Sequence, residues 1–408
     1  MIKKIYKKSD ELIIRWRIIL PALLLVTFSL IILRYTSLGM PFVTSSFYKQ
    51  LIWFFFGSLL FYLFQNIRVQ FFQEYAYHFY LIIIFCLVTT YFMPIISGSH
   101  RWIKIGLINF QPSEIGKVFL IFTISRFLSE NQLKSEQIKN LIFVLLLAFI
   151  PAMLVFFQPD FGTSIVYLFV VLPMAFWSGI RSYYIFSIIA PIISTLAAFQ
   201  LQIFSFWMLI LVIIIFINQP KLKIGVLQFI FNISCGILSP YIWSNFLYQH
   251  HRDRISTLLD PMSDPQGAGY QIIQSITAIG SGGLWGKGIG LGTQTQLRYL
   301  PVRDTDFIIS VIGEEKGIFG ILIILFLFSI MFYWIINYSK NISNKFSALS
   351  LIGFSYLLFF HLLVNMGMTV GIFPVTGLPA PFLSYGGSFL ITCMLILAII
   401  NNIINSHI

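Results

Sequence analysis

The chain has 408 residues, of which 58% are apolar and only 10% charged, with a mean hydropathy of +0.88. A soluble globular domain carries about a quarter charged residues, so this composition excludes an ordinary soluble protein. The formal net charge of +12 lies in short basic clusters between apolar runs, which suits an anionic lipid bilayer and argues against a nucleic-acid partner.

Runs of about 17 to 25 mostly apolar residues are long enough to cross roughly 30 Å of hydrocarbon. They predict an all-α polytopic membrane protein of about twelve transmembrane helices, forming one membrane domain over residues 1–408. The spans begin near residues 18, 49, 78, 114, 139, 162, 182, 202, 224, 308, 346 and 386. Ahead of the first lies a basic segment, residues 1–17, with Lys3, Lys4, Lys7, Lys8, Arg15 and Arg17. No small-residue cleavage site follows, so an uncleaved first span is expected. Cys86, Cys235 and Cys393 each stand alone in an apolar run and read as small core hydrophobes.

Short cationic loops stay cytoplasmic. The amino-terminal cluster, Arg68, Lys134, Lys139, Arg181, Lys221, Lys223, Lys340 and Lys345 all fall on one side by alternation of the spans. Segments 97–113, 157–162, 244–306 and 371–386 then face outward, and they hold nearly every unusual residue of the chain.

The first outer segment contains Arg101, Trp102 and Lys104, then Gln111-Pro112-Ser113-Glu114 and Lys117. Pro112 suits a first helical turn, Ser113 is a plausible cap, and Glu114 and Lys117 lie three apart on one face. These residues fit either a capped helix start with a neutralising ion pair or a wet functional cavity, because ionisable groups are costly in hydrocarbon. Next, Gln158-Pro159-Asp160-Phe161-Gly162-Thr163 is a polar turn that places a carboxylate at membrane depth, and the turn and the site readings are both open.

The large outer loop, 244–306, carries Asp260 and Asp264, each before proline, then Gly269-Tyr270-Gln271 and the glycine-dense run Gly280-Ser281-Gly282-Gly283 through Gly286-Lys287-Gly288. Either aspartate suits a turn, a general base or a divalent cation. The glycines allow close backbone approach and could cradle phosphate oxygens, with Lys287, Arg298 and Arg303 nearby. A nucleotide loop is excluded, since no Ser or Thr follows Lys287 and no strand precedes it. His361 and Asn365 lie one turn apart in an apolar span and read as an interhelical hydrogen-bonding pair. The Pro/Gly-rich stretch 371–388, including Ser384-Tyr385-Gly386-Gly387, cannot face lipid and is expected to be re-entrant, lining a cavity.

Taken together, these motifs resemble the SEDS family (shape, elongation, division, sporulation) over roughly residues 85–390. Asp260-Pro261 and the glycine-dense run are more similar to its elongation branch than to its division branch. The resemblance implies a ten-helix core, with a further helix pair in 181–243. It implies a peptidoglycan glycosyltransferase that polymerises lipid II on the outer face of the bacterial cytoplasmic membrane during cell elongation. A class B penicillin-binding protein and other elongation-complex membrane proteins are the implied partners. The family's catalytic aspartate falls on Asp264, its Glu and Lys near the fourth span on Glu114 and Lys117, and its cavity aspartate on Asp160. Glu114, Lys117 and Asp160, together with Arg101, Trp102, Gln111, Ser113, Gln158, Gln271, Lys287 and Ser384, are the expected substrate-binding residues. Magnesium or manganese is a further expectation. Val302, Asp304 and Ala380 depart from the family pattern without touching those positions.

The chemistry suits these residue types. Extending a glycan from a lipid diphosphate needs a base for the acceptor hydroxyl, here Asp264, and cations for the departing diphosphate, here Lys117, Arg101 or Lys287. A lipid II flippase and a noncatalytic scaffold are the alternatives. Alternating access would equip both faces of the membrane comparably, whereas here the charged motifs gather on one.

Overall fold

The computed structural model describes residues 13–95, 99–105, 108–131, 137–245, 261–263 and 269–407. Asp260 and Asp264 lie outside the described residues, as does the basic cluster before Ile13.

A helix stands at each of the twelve predicted places. They are α1 (Trp16–Thr36), α2 (Ser46–Gln65), α4 (Ala76–Thr89), α5 (Pro112–Glu130), α6 (Gln137–Phe156), α7 (Phe161–Phe169) continuing as α8 (Val171–Trp177), α9 (Ser182–Ala197), α10 (Leu201–Asn218), α11 (Leu222–Asn245), α14 (Ile308–Asn341), α15 (Lys345–Thr369) and α16 (Gly387–His407). A short α3 (Val69–Glu74) precedes α4. Eight of these helices are long and apolar enough to cross a membrane, and three shorter apolar helices accompany them. The chain is a multi-pass membrane protein.

Two features were not legible beforehand. Residues 99–111 are not simply a loop: β1 (Ile103–Ile105) pairs antiparallel with β2 (Ile108–Phe110), Ile103 opposite Phe110. The large loop also contains helices, α12 (Tyr270–Gly282) and α13 (Thr293–Gln296). The break between α7 and α8 follows from Pro173, which lacks the N–H that would bond back to residue 169.

In their most apolar 18-residue stretches α15 and α16 are 78% and 83% buried, which makes them the central helices, whereas that of α10 is 11% buried and peripheral. α2 packs along α16, α1 along α14, and α5 between α4 and α15. With no hydrophobic drive between helices in lipid, polar side chains stitch them. Asn401 Nδ2 donates to Gln65 Oε1 at 2.8 Å and to Ile13 O at 2.9 Å, and Asn402 Nδ2 to Phe64 O at 2.8 Å. The additional helices in 181–243 are stitched the same way, through Ser194 Oγ to Asn232 Oδ1 at 2.6 Å and Trp207 Nε1 to Ser194 Oγ at 2.9 Å.

The glycine-dense run is spent on packing. At Gly317, φ 63° breaks α14, and the chain 283–288 supplies the backbone partners the break leaves over. Ile318 N donates to Gly283 O at 3.0 Å, Phe319 N to Leu284 O at 3.2 Å, Lys287 N to Glu314 O at 3.0 Å and Gly288 N to Glu315 O at 3.0 Å. A Cβ at Gly286 would lie 2.3 Å from Glu315 O, and one at Gly317 2.4 Å from Leu284 O. These amides therefore serve the kink of α14 rather than a phosphate cradle. Gly317→Ala is expected to cost about 1–3 kcal/mol from backbone strain alone, read as a lower unfolding temperature in detergent. An unchanged temperature would mean the kink tolerates a side chain.

Candidate active site

Three discontinuous segments meet at one end of the bundle. The first is the start of α5. Gln111, not Ser113, occupies the N-cap position, with Pro112 at N1, and no side chain closes the cap. Ser113 is already helical, and its carbonyl accepts from Tyr167 Oη of α7 at 2.8 Å. Gly116 permits that approach, because a Cβ there would lie 2.2 Å from Tyr167 Oη. One turn on, Lys117 Nζ sits 2.8 Å from Glu114 Oε2 and 3.0 Å from His361 Nε2 of α15. His361 Nδ1 is 3.3 Å from Pro379 O. A proton on Nδ1 donates to that carbonyl and leaves Nε2 to accept from the ammonium. The Lys117 side chain is only 1% exposed, so Glu114 and His361 together replace its water.

The second segment is the turn into α7. Asp160 caps that helix, Oδ1 accepting from Thr163 N at 3.3 Å. Oδ2 accepts from Gln111 Nε2 at 3.4 Å and lies 3.8 Å from Arg101 Nε. The guanidinium also donates to Gln158 O at 3.2 Å and to Pro159 O. With 31% of its side chain exposed against 1% for Lys117, Arg101 is the more accessible of these two cations. The Gln158 amide instead points inward, donating to Thr90 Oγ1 at 2.8 Å and Leu87 O at 3.1 Å.

The third is the re-entrant stretch. From Val370 to Gly386 the chain forms no helix, and it is held by side chains as its polar backbone requires. Asn365 Nδ2 donates to Leu378 O at 2.7 Å and to Asp306 O at 3.0 Å. Ser384 Oγ donates to Thr305 O at 2.6 Å and accepts from Ala380 N at 2.8 Å, so its hydroxyl is used in holding the loop. The turn after Asp160 packs on this stretch, a Cβ at Gly162 lying 2.7 Å from Thr376 O.

Arg101, Gln111, Ser113, Glu114, Lys117, Gln158 and Asp160 are thus brought together. Trp102 is half-buried at the head of the hairpin, and Gln271 is half-buried on α12. Lys287 belongs to another cluster: its Nζ lies 2.9 Å from Glu314 Oε1 and 2.7 Å from Thr293 Oγ1. Glu314 also accepts from Gln294 N at 2.9 Å and Thr295 N at 3.0 Å, the amides that open α13. The sequence reading missed His361 as a partner of Lys117 and Glu314 as the partner of Lys287. For His361, its rarity in an apolar span was the available signal.

Asp306 was also missed. A Cβ at Gly377 would stand 3.7 Å from its Oδ2. Burial raises its carboxyl from 3.8 to about 6, opposed by a hydrogen bond with the Thr305 side chain. Between those values the folded chain keeps a proton that the unfolded chain has lost. Stability therefore falls as pH rises from about 4 to 6 and is level above. Asp306→Asn is expected to remove that slope from unfolding temperatures measured across the window, and an unaltered slope would assign it to another group.

The pattern of the FtsW/RodA/SpoVE family, described as cell cycle proteins, matches residues 11–206 and 202–407. A peptidoglycan glycosyltransferase, MrdB of Escherichia coli (strain K12), is 35% identical over 339 residues, covering 83% of this chain and 80% of that protein. The peptidoglycan glycosyltransferase RodA of Treponema pallidum (strain Nichols) is 28% identical over 412 residues, covering 90% and 94%. In fold, the chain is similar to one from a solved peptidoglycan synthase complex that coordinates polymerization and crosslinking. The TM-score is 0.73 and identity 23%, covering 97% of this chain and 99% of that one. The match along nearly the whole length, together with the relative at 35% identity, establishes that this chain belongs to the FtsW/RodA/SpoVE family.

Proposed function

We infer that this protein is a peptidoglycan glycosyltransferase that polymerises lipid II at the outer face of the bacterial cytoplasmic membrane, in cell elongation and rod-shape maintenance. The observation that carries this reading is the convergence of Glu114–Lys117–His361 and Arg101–Asp160 with the re-entrant stretch at one end of the bundle. A lipid-linked diphosphate needs cations at such a depth, and membrane-embedded charges are costly without a task. The cationic loops around Arg181, Lys221 and Lys340 support placing the opposite end outside.

In the proposed reaction Asp264 takes the proton of the acceptor sugar hydroxyl. The hydroxyl oxygen bonds to the anomeric carbon of the growing strand, and the bond to the diphosphate oxygen breaks, releasing polyprenyl diphosphate. Arg101 is the cation best placed to meet the leaving group, because Lys117 is enclosed by Glu114 and His361, and Lys287 is engaged by Glu314. Among the described residues no three His, Cys, Asp or Glu side chains converge on a possible ion, and Asp260 and Asp264, which could share magnesium or manganese, lie outside those residues. The likeness to a chain from a synthase complex supports a class B penicillin-binding protein as partner beside other elongation-complex membrane proteins.

The test is reconstitution of the purified chain, with and without that partner, with lipid II, followed by gels for glycan ladders. Ladders are expected. Their absence in both settings, with lipid II moving between leaflets, would replace the polymerase by the flippase. Cysteines placed at Ser281 and Ser343 check orientation in spheroplasts: an impermeant thiol reagent should reach the first and should reach the second only after lysis.

A further inference from the structure

Beside the site, a separate cavity of about 410 Å³ opens between the chain after α1 and the segment leading into α14. Its wall includes Met40, Ser46, Arg298, Arg303, Asp304 and Tyr385. Arg303 is 8% exposed, and its Nη2 donates to Thr36 O at 2.7 Å. Asp304 Oδ2 accepts from Ser46 Oγ at 2.6 Å. Arg303 Nη1 and Asp304 Oδ1 are buried and have no hydrogen-bond partner among the described residues, although Asp304 Oδ1 stands 3.8 Å from Arg303 Nε. A spare charged donor beside a spare charged acceptor is costly to leave unmade.

The same wall carries unusual backbone. Arg298 has φ 60° and the β-branched Val302 φ 53°, conformations that non-glycine residues adopt only when their surroundings impose them, often at ligand sites. Charge narrows the ligand. The two spare atoms belong to one ion pair, whose charges cancel, so a neutral ligand offering an acceptor and a donor on adjacent atoms, as a sugar's hydroxyl and N-acetyl groups do, meets both. A cavity of this size falls in the range of small-molecule sites, and Met40 and Tyr385 give it an apolar side.

We propose that the Arg303–Asp304 cavity is a saccharide subsite that holds an N-acetylated sugar of the glycan, apart from the Lys117 cluster. The assignment rests on the polymerase reading and extends it from the reacting bond to the strand. Its test uses the full chain in lipid nanodiscs and chitotetraose, an N-acetylglucosamine tetramer, as probe, with cellotetraose and inorganic diphosphate as comparisons.

Chitotetraose should bind at least about tenfold more tightly than cellotetraose, and diphosphate should not displace it. Arg303→Lys and Asp304→Asn should each weaken it about tenfold. Because Arg303 also holds Thr36, unfolding temperatures are recorded for every variant. Asp304→Asn keeps an acceptor for Ser46 and decides the matter if Arg303→Lys is unstable. Absence of binding to the native chain, equal affinity in Asp304→Asn, or displacement by diphosphate would each overturn the subsite. Glycan ladders from lipid II in the same preparation would then show that only the subsite has failed, whereas missing ladders would remove the polymerase reading beneath it.

Discussion

Lys117→Met is expected to destabilise the protein by about 3–5 kcal/mol and to abolish glycan polymerisation. The reason is the enclosure of the pair. With Lys117 and Glu114 side chains 1% and 5% exposed, removing the ammonium leaves the Glu114 carboxylate buried without its counter-charge and His361 Nε2 without its donor. Glu114→Gln should be milder, because an amide oxygen still accepts from Lys117. Combining the two removes both charges, so stability should largely return, as buried pairs replaced by neutral groups often show. Activity should return with it, because Arg101 and not the enclosed Lys117 faces the leaving group. A double variant that regains stability but not activity would make the Lys117 ammonium part of the reaction.

Asp264→Ala should reduce polymerisation by roughly 10²–10⁴-fold, the usual contribution of a positioned base. Its unfolding temperature should match that of the native chain, since Asp264 stands in the large loop between prolines and glycines and not in an apolar span. Asp260→Ala should lose much less. Initial rates of lipid II consumption by paired reconstitutions would separate the two. Equal losses would point to a divalent ion shared by both carboxylates, and full activity in Asp264→Ala would remove the base from the mechanism.

The cation most open to substrate was legible only as one of three. Lys117, Arg101 and Lys287 are equivalent in a sequence, each being a basic residue in a polar motif. Folding separates them through partners far along the chain: His361, 244 positions from Lys117, and Glu314, 27 positions from Lys287. Asp306 and Asp304 show the same limit, since burial against Gly377 or beside Arg303 has no local signature.

What the sequence determined by itself was what depends on local composition. A run of about twenty apolar residues must become a helix in lipid whatever surrounds it, so the helices appeared where hydropathy placed them, including those in 181–243. The Glu114–Lys117 pair was readable because three residues along a helix return to one face. The tertiary structure alone decided how the glycines of 280–290 are used, because a residue without a side chain permits close approach without naming what approaches. Here it is the backbone of α14, broken at Gly317, whose freed amides and carbonyls could find partners only where another segment came within hydrogen-bonding reach.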